Sequence, residues 1–135
     1  MTALHFCTDW IKGLTLATGR PLYARSLLDN VGVLTAYAND HSYADVFVDQ
    51  LRPLLGPRDL LIAISGSGNS ENVLRAVRYA KEIGATTIGL CGYDGGKLKR
   101  LCDCAVWADV NDMQLSEDLH AVFGHIVLQA LCGVA

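Results

Sequence analysis

The fold is decided by the stretch from Leu60 to Ser70, which reads Leu-Leu-Ile-Ala-Ile-Ser-Gly-Ser-Gly-Asn-Ser. The stretch opens with a continuous apolar run, which is typical of a strand buried on both faces of a parallel sheet. Residues 65–70 form a Ser/Gly loop, and the apolar spacing after this loop predicts a helix that ends near Gly84. The sequence therefore predicts a strand, a loop and a helix in direct succession.

The same patterns predict the other elements on both sides of this stretch. Upstream we expect a helix over 2–16, a possible short strand over 23–28, helices over 30–37 and 43–51, and a loop over 39–42. Downstream we expect strands over 86–90 and 104–107, a turn over 92–96, a short helix over 97–101 and a last helix over 115–131. Alternating strands and helices favour parallel pairing through right-handed crossovers. The predicted fold class is α/β, a three-layer sandwich with helices on both faces of a mainly parallel sheet, in one domain over 1–135.

Apolar residues at helical spacing predict the first helix and also a buried stripe on the last helix. The spacing of the first helix is set by Leu4, Cys7, Ile11 and Leu14, and the predicted buried stripe of the last helix is Leu119, Val122, Phe123, Ile126 and Ala130.

Composition excludes several classes of protein. The 135 residues are 51% hydrophobic, which indicates a folded globular chain, and the net charge of −3 argues against a nucleic-acid partner. The apolar stretch 119–135 falls short of the ~20 residues that a membrane span needs, and the N-terminus does not resemble a signal peptide. Five cysteines at irregular spacing favour packed thiols in a reducing compartment over disulfides or a zinc ribbon. We therefore expect a cytoplasmic protein with no membrane or nucleic-acid partner.

The Ser/Gly loop has the chemistry of an anion site. It follows the carboxyl end of a strand and precedes a helix, whose unpaired N–H groups and partial positive charge favour an anion. The loop has no lysine and lacks the spacing of dinucleotide-binding loops, so it fits a single phosphate better than a nucleotide. The hydroxyls of Ser65, Ser67 and Ser70 are the expected phosphate donors. The alternative is a tight strand-to-helix turn in which a serine merely caps the helix.

Several motifs together resemble the sugar isomerase (SIS) domain, and most closely the phosphoheptose isomerases. These motifs are the loop Ile64–Ser70, Val73-Leu74 with Ala76, Gly84, Ile88-Gly89-Leu90, Asp94-Gly95-Gly96, Ala38-Asn39-Asp40 with Tyr43 and Val46-Phe47, and Glu117-Asp118-Leu119-His120 with His125. The resemblance covers nearly the whole chain and implies a flavodoxin-like SIS fold that binds a phosphorylated sugar. It also implies aldose–ketose isomerisation and a homotetramer with sites at subunit interfaces.

The resemblance also implies a zinc site and the catalytic groups. His5 and Asp9 are four residues apart and share a helix face, although such a spacing also suits an ordinary surface pair. By resemblance, zinc would be held by His5, Asp9, Glu117 and His125. Asp9 would act as base, and His125 as acid on the other side of the substrate. Asp40 and Glu117 would contact the substrate.

Spacing along the last helix constrains this zinc site. Residues 117 and 125 would be ~12 Å apart within one helix, so they meet at one ion only if the helix start is frayed or if they come from different chains. His120 is expected in packing or at an interface.

The sequence departs from the family at a few positions. Asp9 replaces a glutamate, Glu117 a glutamine, Gly66 a threonine of the phosphate loop, and Gln114 an aspartate. Family members also have a helix, a first strand and a Gly-rich loop before the point that matches His5, so we expect an N-terminally truncated SIS domain. The leading hypothesis is a phosphosugar isomerase, and the alternative is a non-catalytic SIS module that binds phosphosugars or scaffolds partners.

Overall fold

A computed structural model describes residues 1–133. The elements in chain order are α1 (Thr2–Thr18), α2 (Val31–Asp40), α3 (Val48–Leu51), β1 (Leu60–Ser65), α4 (Glu71–Glu82), β2 (Thr86–Cys91), α5 (Gly96–Leu101), β3 (Cys104–Trp107) and α6 (Met113–Cys132).

The three strands form a parallel sheet in the order β1-β2-β3. At the carboxyl edge of this sheet Ser65 lies beside Cys91, and Cys91 lies beside Trp107. Each strand is followed by a helix, so the loops that begin at these three residues share one edge. Ligands in open α/β sheets bind at such an edge.

Helices cover both faces of the sheet, which confirms the predicted α/β sandwich. On one face β1 and β2 pack against α4 and α5 through a cluster of Ala63, Leu74, Val77, Cys91 and Leu98. On the other face they pack against α1 and α6 through a cluster built on Phe6, Trp10 and Leu90. The apolar run of β1 is needed because successive side chains enter these two separate cores.

One predicted strand is absent from the structure. Residues 23–28, expected as a possible strand, are irregular and end in a turn. A strand requires a neighbour to satisfy its backbone groups, and β1 pairs with β2 alone among the described residues.

Two helix boundaries also differ from the predictions. The segment 43–47 consists of turns, so the helix expected over 43–51 is regular only over Val48–Leu51. Asn39 and Asp40, expected in a loop, form the last turn of α2.

The buried stripe predicted for α6 was mostly wrong. The residues of α6 that are buried are Ser116, His120 and Gly124, and those of α1 are Phe6, Trp10 and Leu14. Leu115, Leu119, Val122 and Ile126 instead form an exposed stripe on α6, with exposures from 49% to 55%. Ala130 is exposed as well, and Leu4 and Ile11 are exposed on α1. The apolar stripes predicted from the sequence therefore lie largely on the outside of the single chain.

All five cysteines are free thiols; Cys91 is buried, and burial raises the pKa of the Cys102 thiol to about 11. Cys104 is exposed, so core packing does not describe every one of them. Within residues 1–133 no helix combines the length and the apolar character that crossing a membrane requires.

Candidate active site

The Ser/Gly loop lies at the carboxyl edge of the sheet, between β1 and the N-terminus of α4. Ser70 occupies the N-cap position of α4 in an extended conformation, but its side chain makes no capping hydrogen bond. Its hydroxyl instead accepts a hydrogen bond from the hydroxyl of Ser65 at 3.1 Å. The alternative of a serine that merely caps the helix therefore does not account for Ser70.

Hydrogen bonds inside the loop leave two hydroxyls able to donate outward. Ser70 Oγ receives the hydrogen of Ser65, so its own hydrogen is available to a ligand. Ser67 Oγ accepts the backbone N–H of Asn69 at 3.2 Å, which leaves its hydrogen available too. Ser65 is buried, and its hydroxyl bonds to that of Ser70. Two outward O–H donors at a helix N-terminus form an arrangement that suits a phosphate oxygen.

Gly66 departs from the family because a methionine occupies the space beside it. A Cβ at Gly66 would overlap the sulfur of Met113, the first residue of α6. The backbone of Gly66 also holds the neighbouring strand end, since its carbonyl accepts the N–H of Gly92 at 2.7 Å. The thioether of Met113 therefore lies where the family's threonine side chain would lie.

The carboxylate closest in sequence to the loop is neutralised by two arginines. Glu71 begins α4 and is bonded by Arg78 at 2.9 Å and by Arg75 at 3.3 Å. Hydrogen bonds from Arg78 and then Arg75 hold the pKa of Glu71 below its usual range. A paired carboxylate repels a bound phosphate less than a free one does.

A second cluster of polar side chains forms where α1 meets α6. The Nε2 atoms of His5 and His125 are 2.9 Å apart, and Asp9 Oδ2 lies 3.2 Å from His5 Nε2 and 3.6 Å from His125 Nε2. The side chains are 49%, 30% and 52% exposed for His5, Asp9 and His125. Among residues 1–133 these are the side chains that converge closely enough to hold one metal ion.

Gly124 brings α1 and α6 close enough to form this cluster. A Cβ at this position would overlap the ring of Phe6, so only glycine permits the observed approach of the helices. Trp10 Nε1 donates to the carbonyl of Gly124 at 2.9 Å, which holds α1 at this level of α6. The next residue, His125, is thereby placed beside His5. Gly124 was not among the site residues predicted from the sequence, although a lone glycine inside a helix costs stability and so signals a packing role.

Asp9 and His125 lie side by side. A separation of 3.6 Å leaves no room for a sugar carbon between them, because contacts to both would need ~6–7 Å. The expected placement of His125 on the opposite side of the substrate from Asp9 is therefore not what the single chain shows.

Glu117 lies apart from the three clustered residues. It sits within the regular part of α6, so a frayed helix start does not bring it to His125. Eight residues of helix separate the two by ~12 Å. Within the single chain, Glu117 therefore does not join the other three expected zinc ligands.

Asp40, the other expected substrate contact, ends α2. It borders a cavity of about 280 Å³ that is also lined by Val33, Ala36, Tyr37 and His41. Its Oδ1 accepts the side-chain amide of Asn39 at 2.8 Å.

His120 is buried between α6 and the end of β2. It is 1% exposed, and its Nε2 lies 3.2 Å from the carbonyl of Cys91 at the end of β2. Its Nδ1 is buried and has no hydrogen-bond partner among residues 1–133. The expectation of packing for this residue is confirmed.

Comparisons with known proteins agree with this architecture. The SIS domain family matches residues 28–132. The phosphoheptose isomerase of Aliarcobacter butzleri is 39% identical over 129 residues, which cover 96% of this chain and 68% of that protein. The phosphoheptose isomerase of Clostridium acetobutylicum is 44% identical over 123 residues, which cover 91% of this chain and 62% of that protein.

Solved structures of phosphoheptose isomerases also match this chain. A phosphoheptose isomerase from Francisella tularensis matches with a TM-score of 0.86 and 28% identity, covering 98% of this chain and 69% of that one. One from Neisseria gonorrhoeae matches with a TM-score of 0.80 and 31% identity, covering 94% of this chain and 71% of that one. The chain spans about two thirds of the length of these relatives. It belongs to the SIS domain family and, within that family, to the phosphoheptose isomerases.

Proposed function

We propose that this protein is a phosphosugar aldose–ketose isomerase of the phosphoheptose isomerase type. The observation that supports it most directly is the Ser/Gly loop, in which Ser67 and Ser70 keep their hydroxyl hydrogens for a ligand at the N-terminus of α4. These donors would hold the substrate phosphate, together with Ser65, whose hydroxyl bonds to that of Ser70. Asp40 and Glu117 would contact the sugar.

Asp9 and His125 would carry the proton transfers. Interconversion of an aldose and a ketose moves one proton between two neighbouring carbons and one between their two oxygens. The Asp9 carboxylate would take the proton from the carbon beside the carbonyl and return it to the neighbouring carbon. The His125 imidazole would give a proton to the carbonyl oxygen and accept one from the hydroxyl. Side-by-side groups suit this reaction, because the atoms that exchange protons are themselves adjacent.

Zinc fits the cluster of His5, Asp9 and His125. Two nitrogens and a carboxylate oxygen converge with separations from 2.9 Å to 3.6 Å. Ligands of a tetrahedral zinc at ordinary bond lengths are about 3.3 Å apart, which falls within that range. When bound, zinc would polarise the substrate oxygens and hold them in place. One nitrogen cannot hold zinc and donate a proton at the same time, so the zinc dependence of turnover decides which role His125 has.

A homotetramer would complete the site. Met113 contacts the phosphate loop, and His125 lies twelve residues further along α6, or ~18 Å. One sugar phosphate is too short to span this distance, so the loop and Glu117 of one copy would face the histidine cluster of another. The exposed stripe of Leu115, Leu119, Val122 and Ile126 offers the apolar surface for such an assembly.

A cytoplasmic location fits the free thiols. All five cysteines are unpaired, which matches a reducing compartment.

Turnover on sedoheptulose 7-phosphate tests the proposed function. We expect the purified protein to convert it to the aldose phosphate, and Asp9→Asn to remove activity while leaving affinity for the phosphosugar in place. The chain offers Asp59→Asn as the matched control, because this exposed aspartate precedes β1 at the opposite edge of the sheet. Tight binding of phosphosugars by the wild type without any turnover would instead identify a non-catalytic SIS module.

A further inference from the structure

The Asp-Gly-Gly turn at the start of α5 is packed directly against the Ser/Gly loop. A Cβ at Gly68 would overlap the carbonyl of Gly95, and a Cβ at Gly96 would lie 2.5 Å from the carbonyl oxygen of Ser67. The backbone N–H of Leu98 also donates to the carbonyl of Gly68 at 2.9 Å. The two backbones therefore touch over the width of the loop, and both need glycine at the contact.

Asn69 joins the two segments with both ends of its side-chain amide. Its Nδ2 donates to the carbonyl of Ser67 at 2.9 Å, and its Oδ1 accepts the backbone N–H of Lys97 at 3.2 Å. Its own backbone N–H donates to Ser67 Oγ at 3.2 Å. One residue thus fixes the backbone of Ser67, the direction of its hydroxyl and the distance of the loop from α5.

The side-chain amide of Asn69 does more than stabilise the turn of the Ser/Gly loop. Both of its partners are backbone groups on separate segments, and the N–H of Lys97 lies in the first turn of α5, where helical N–H groups have no acceptor within the helix. The bond therefore stabilises the relative placement of two segments.

We infer that Asn69 is a positioning residue for phosphate binding, and that it acts by holding the Ser/Gly loop against the Gly95–Gly96 turn. The inference rests on the proposed function, because it assigns a task to the same phosphate site. Without the amide, Ser67 loses the anchor of its carbonyl, and the loop loses its bond to the N–H of Lys97, although the backbone N–H of residue 69 can still reach Ser67 Oγ. Phosphate affinity then falls, while the proton transfers at Asp9 and His125 are left as they were.

The test compares Asn69→Ala with Asn30→Ala. Asn30 likewise makes a side-chain hydrogen bond to a backbone N–H, that of Val33 at 3.0 Å, but it caps α2. We expect Asn69→Ala to raise the dissociation constant of inorganic phosphate, measured by calorimetry, about tenfold, the loss of about one charge-assisted hydrogen bond. The KM for sedoheptulose 7-phosphate should rise by a similar factor with kcat little changed. Asn30→Ala should lower thermal stability without changing phosphate affinity.

A second pair of variants changes the turn at the start of α5, which contacts the loop. This pair tests the inference if Asn69→Ala does not fold. Gly96 (φ 54°) and Gly19 (φ 69°) both have left-handed backbones, but a Cβ at Gly19 meets nothing within 4 Å. We expect Gly96→Ala to weaken phosphate binding and Gly19→Ala to leave it unchanged. Folded variants Asn69→Ala and Gly96→Ala that bind phosphate as the wild type does would overturn the inference.

Phosphate binding and turnover by the wild type distinguish a failure of this inference from a failure of the proposed function. If the wild type binds phosphate but does not turn over the sugar, the isomerase proposal fails and the affinities still decide the task of Asn69. If the wild type binds neither phosphate nor phosphosugar, both fail.

Discussion

The Nε2 atoms of His5 and His125 lie 2.9 Å apart, although 120 residues separate the two histidines in the chain. They belong to α1 and α6, which cover the same face of the sheet. Asp9 adds a carboxylate oxygen within 3.6 Å of both nitrogens. The packing of two helices has thus created a group of ligands with the chemistry of a cation site.

Removal of either histidine should abolish tight zinc binding. Loss of an outer-shell partner of a metal ligand lowers affinity ~10–100-fold, so loss of a ligand itself should lower it by more. We expect about one zinc per chain in the wild type and a large drop in zinc content for His5→Ala and His125→Ala, measured by elemental analysis after dialysis. His41→Ala, which removes an exposed histidine of α2's C-cap, is the control. Equal zinc content in all four proteins would contradict the assigned site.

Substitution of Gly124 should separate α1 from α6. An added methyl group overlaps the ring of Phe6 inside the core, and overpacking of this kind costs ~1–3 kcal/mol of folding free energy. We expect Gly124→Ala to lower the denaturation midpoint and also to weaken zinc binding. Gly13→Ala is the matched control, because there a Cβ meets only the flexible end of Leu128 in the same helix pair. A Gly124→Ala protein with normal stability and zinc content would show that the close approach is not required.

Gly66 and Met113 should be energetically coupled. Gly66→Thr restores the residue expected from the family but collides with the Met113 sulfur, so alone it should weaken both stability and phosphate affinity. Met113→Ala opens the space, and the double variant should recover much of the loss. A double-mutant cycle should give a coupling free energy of ~0.5–3 kcal/mol. Strict additivity would mean that the two side chains do not compete for one space.

A charge in the exposed stripe of α6 should break the assembly. Leu119 and Ile126 are 49% and 55% exposed in the single chain, and a buried glutamate at an apolar interface would be costly. We expect light scattering to show a tetramer for the wild type and smaller species for Leu119→Glu and Ile126→Glu, with a parallel loss of turnover. Leu54→Glu, which alters an equally exposed leucine outside α6, should leave the mass unchanged. A wild-type monomer with full activity would rule out sites shared between chains.

Asp103 should contribute stability that is lost in acid. Hydrogen bonds from Lys81 and then Thr87 lower the pKa of Asp103 from 3.8 to about 2. Because the pKa is depressed in the folded protein, the contribution is complete above the unfolded value and disappears as the pH falls from about 4 to about 2. Asp103→Asn should therefore be less stable at neutral pH and should show a shallower loss of stability over that range. Urea unfolding at several pH values measures this, and Asp109→Asn should follow the wild type.

Local sequence patterns were sufficient to predict the structure around the Ser/Gly loop. Strand, loop and helix were predicted correctly there, because each depends mainly on residues that are neighbours in the chain. The signals were the apolar run of β1, the glycines and serines of the loop, and the apolar spacing of α4. The pairing of His5 with Asp9 was also predictable, because residues four apart share a face of a helix.

Only the tertiary structure decided which surfaces meet. Apolar spacing identified stripes on α1 and α6 but could not tell a face turned to the sheet from a face left exposed on the single chain, because the spacing is the same for both. The buried residues of α6 are Ser116, His120 and Gly124. They are not strongly hydrophobic, and the small ones let neighbouring elements approach the helix closely. That approach places His125 beside His5 and Asp9, and it leaves Glu117 ~12 Å away along the same helix. Contacts between residues distant in the chain depend on the packing of whole elements, which no local pattern records.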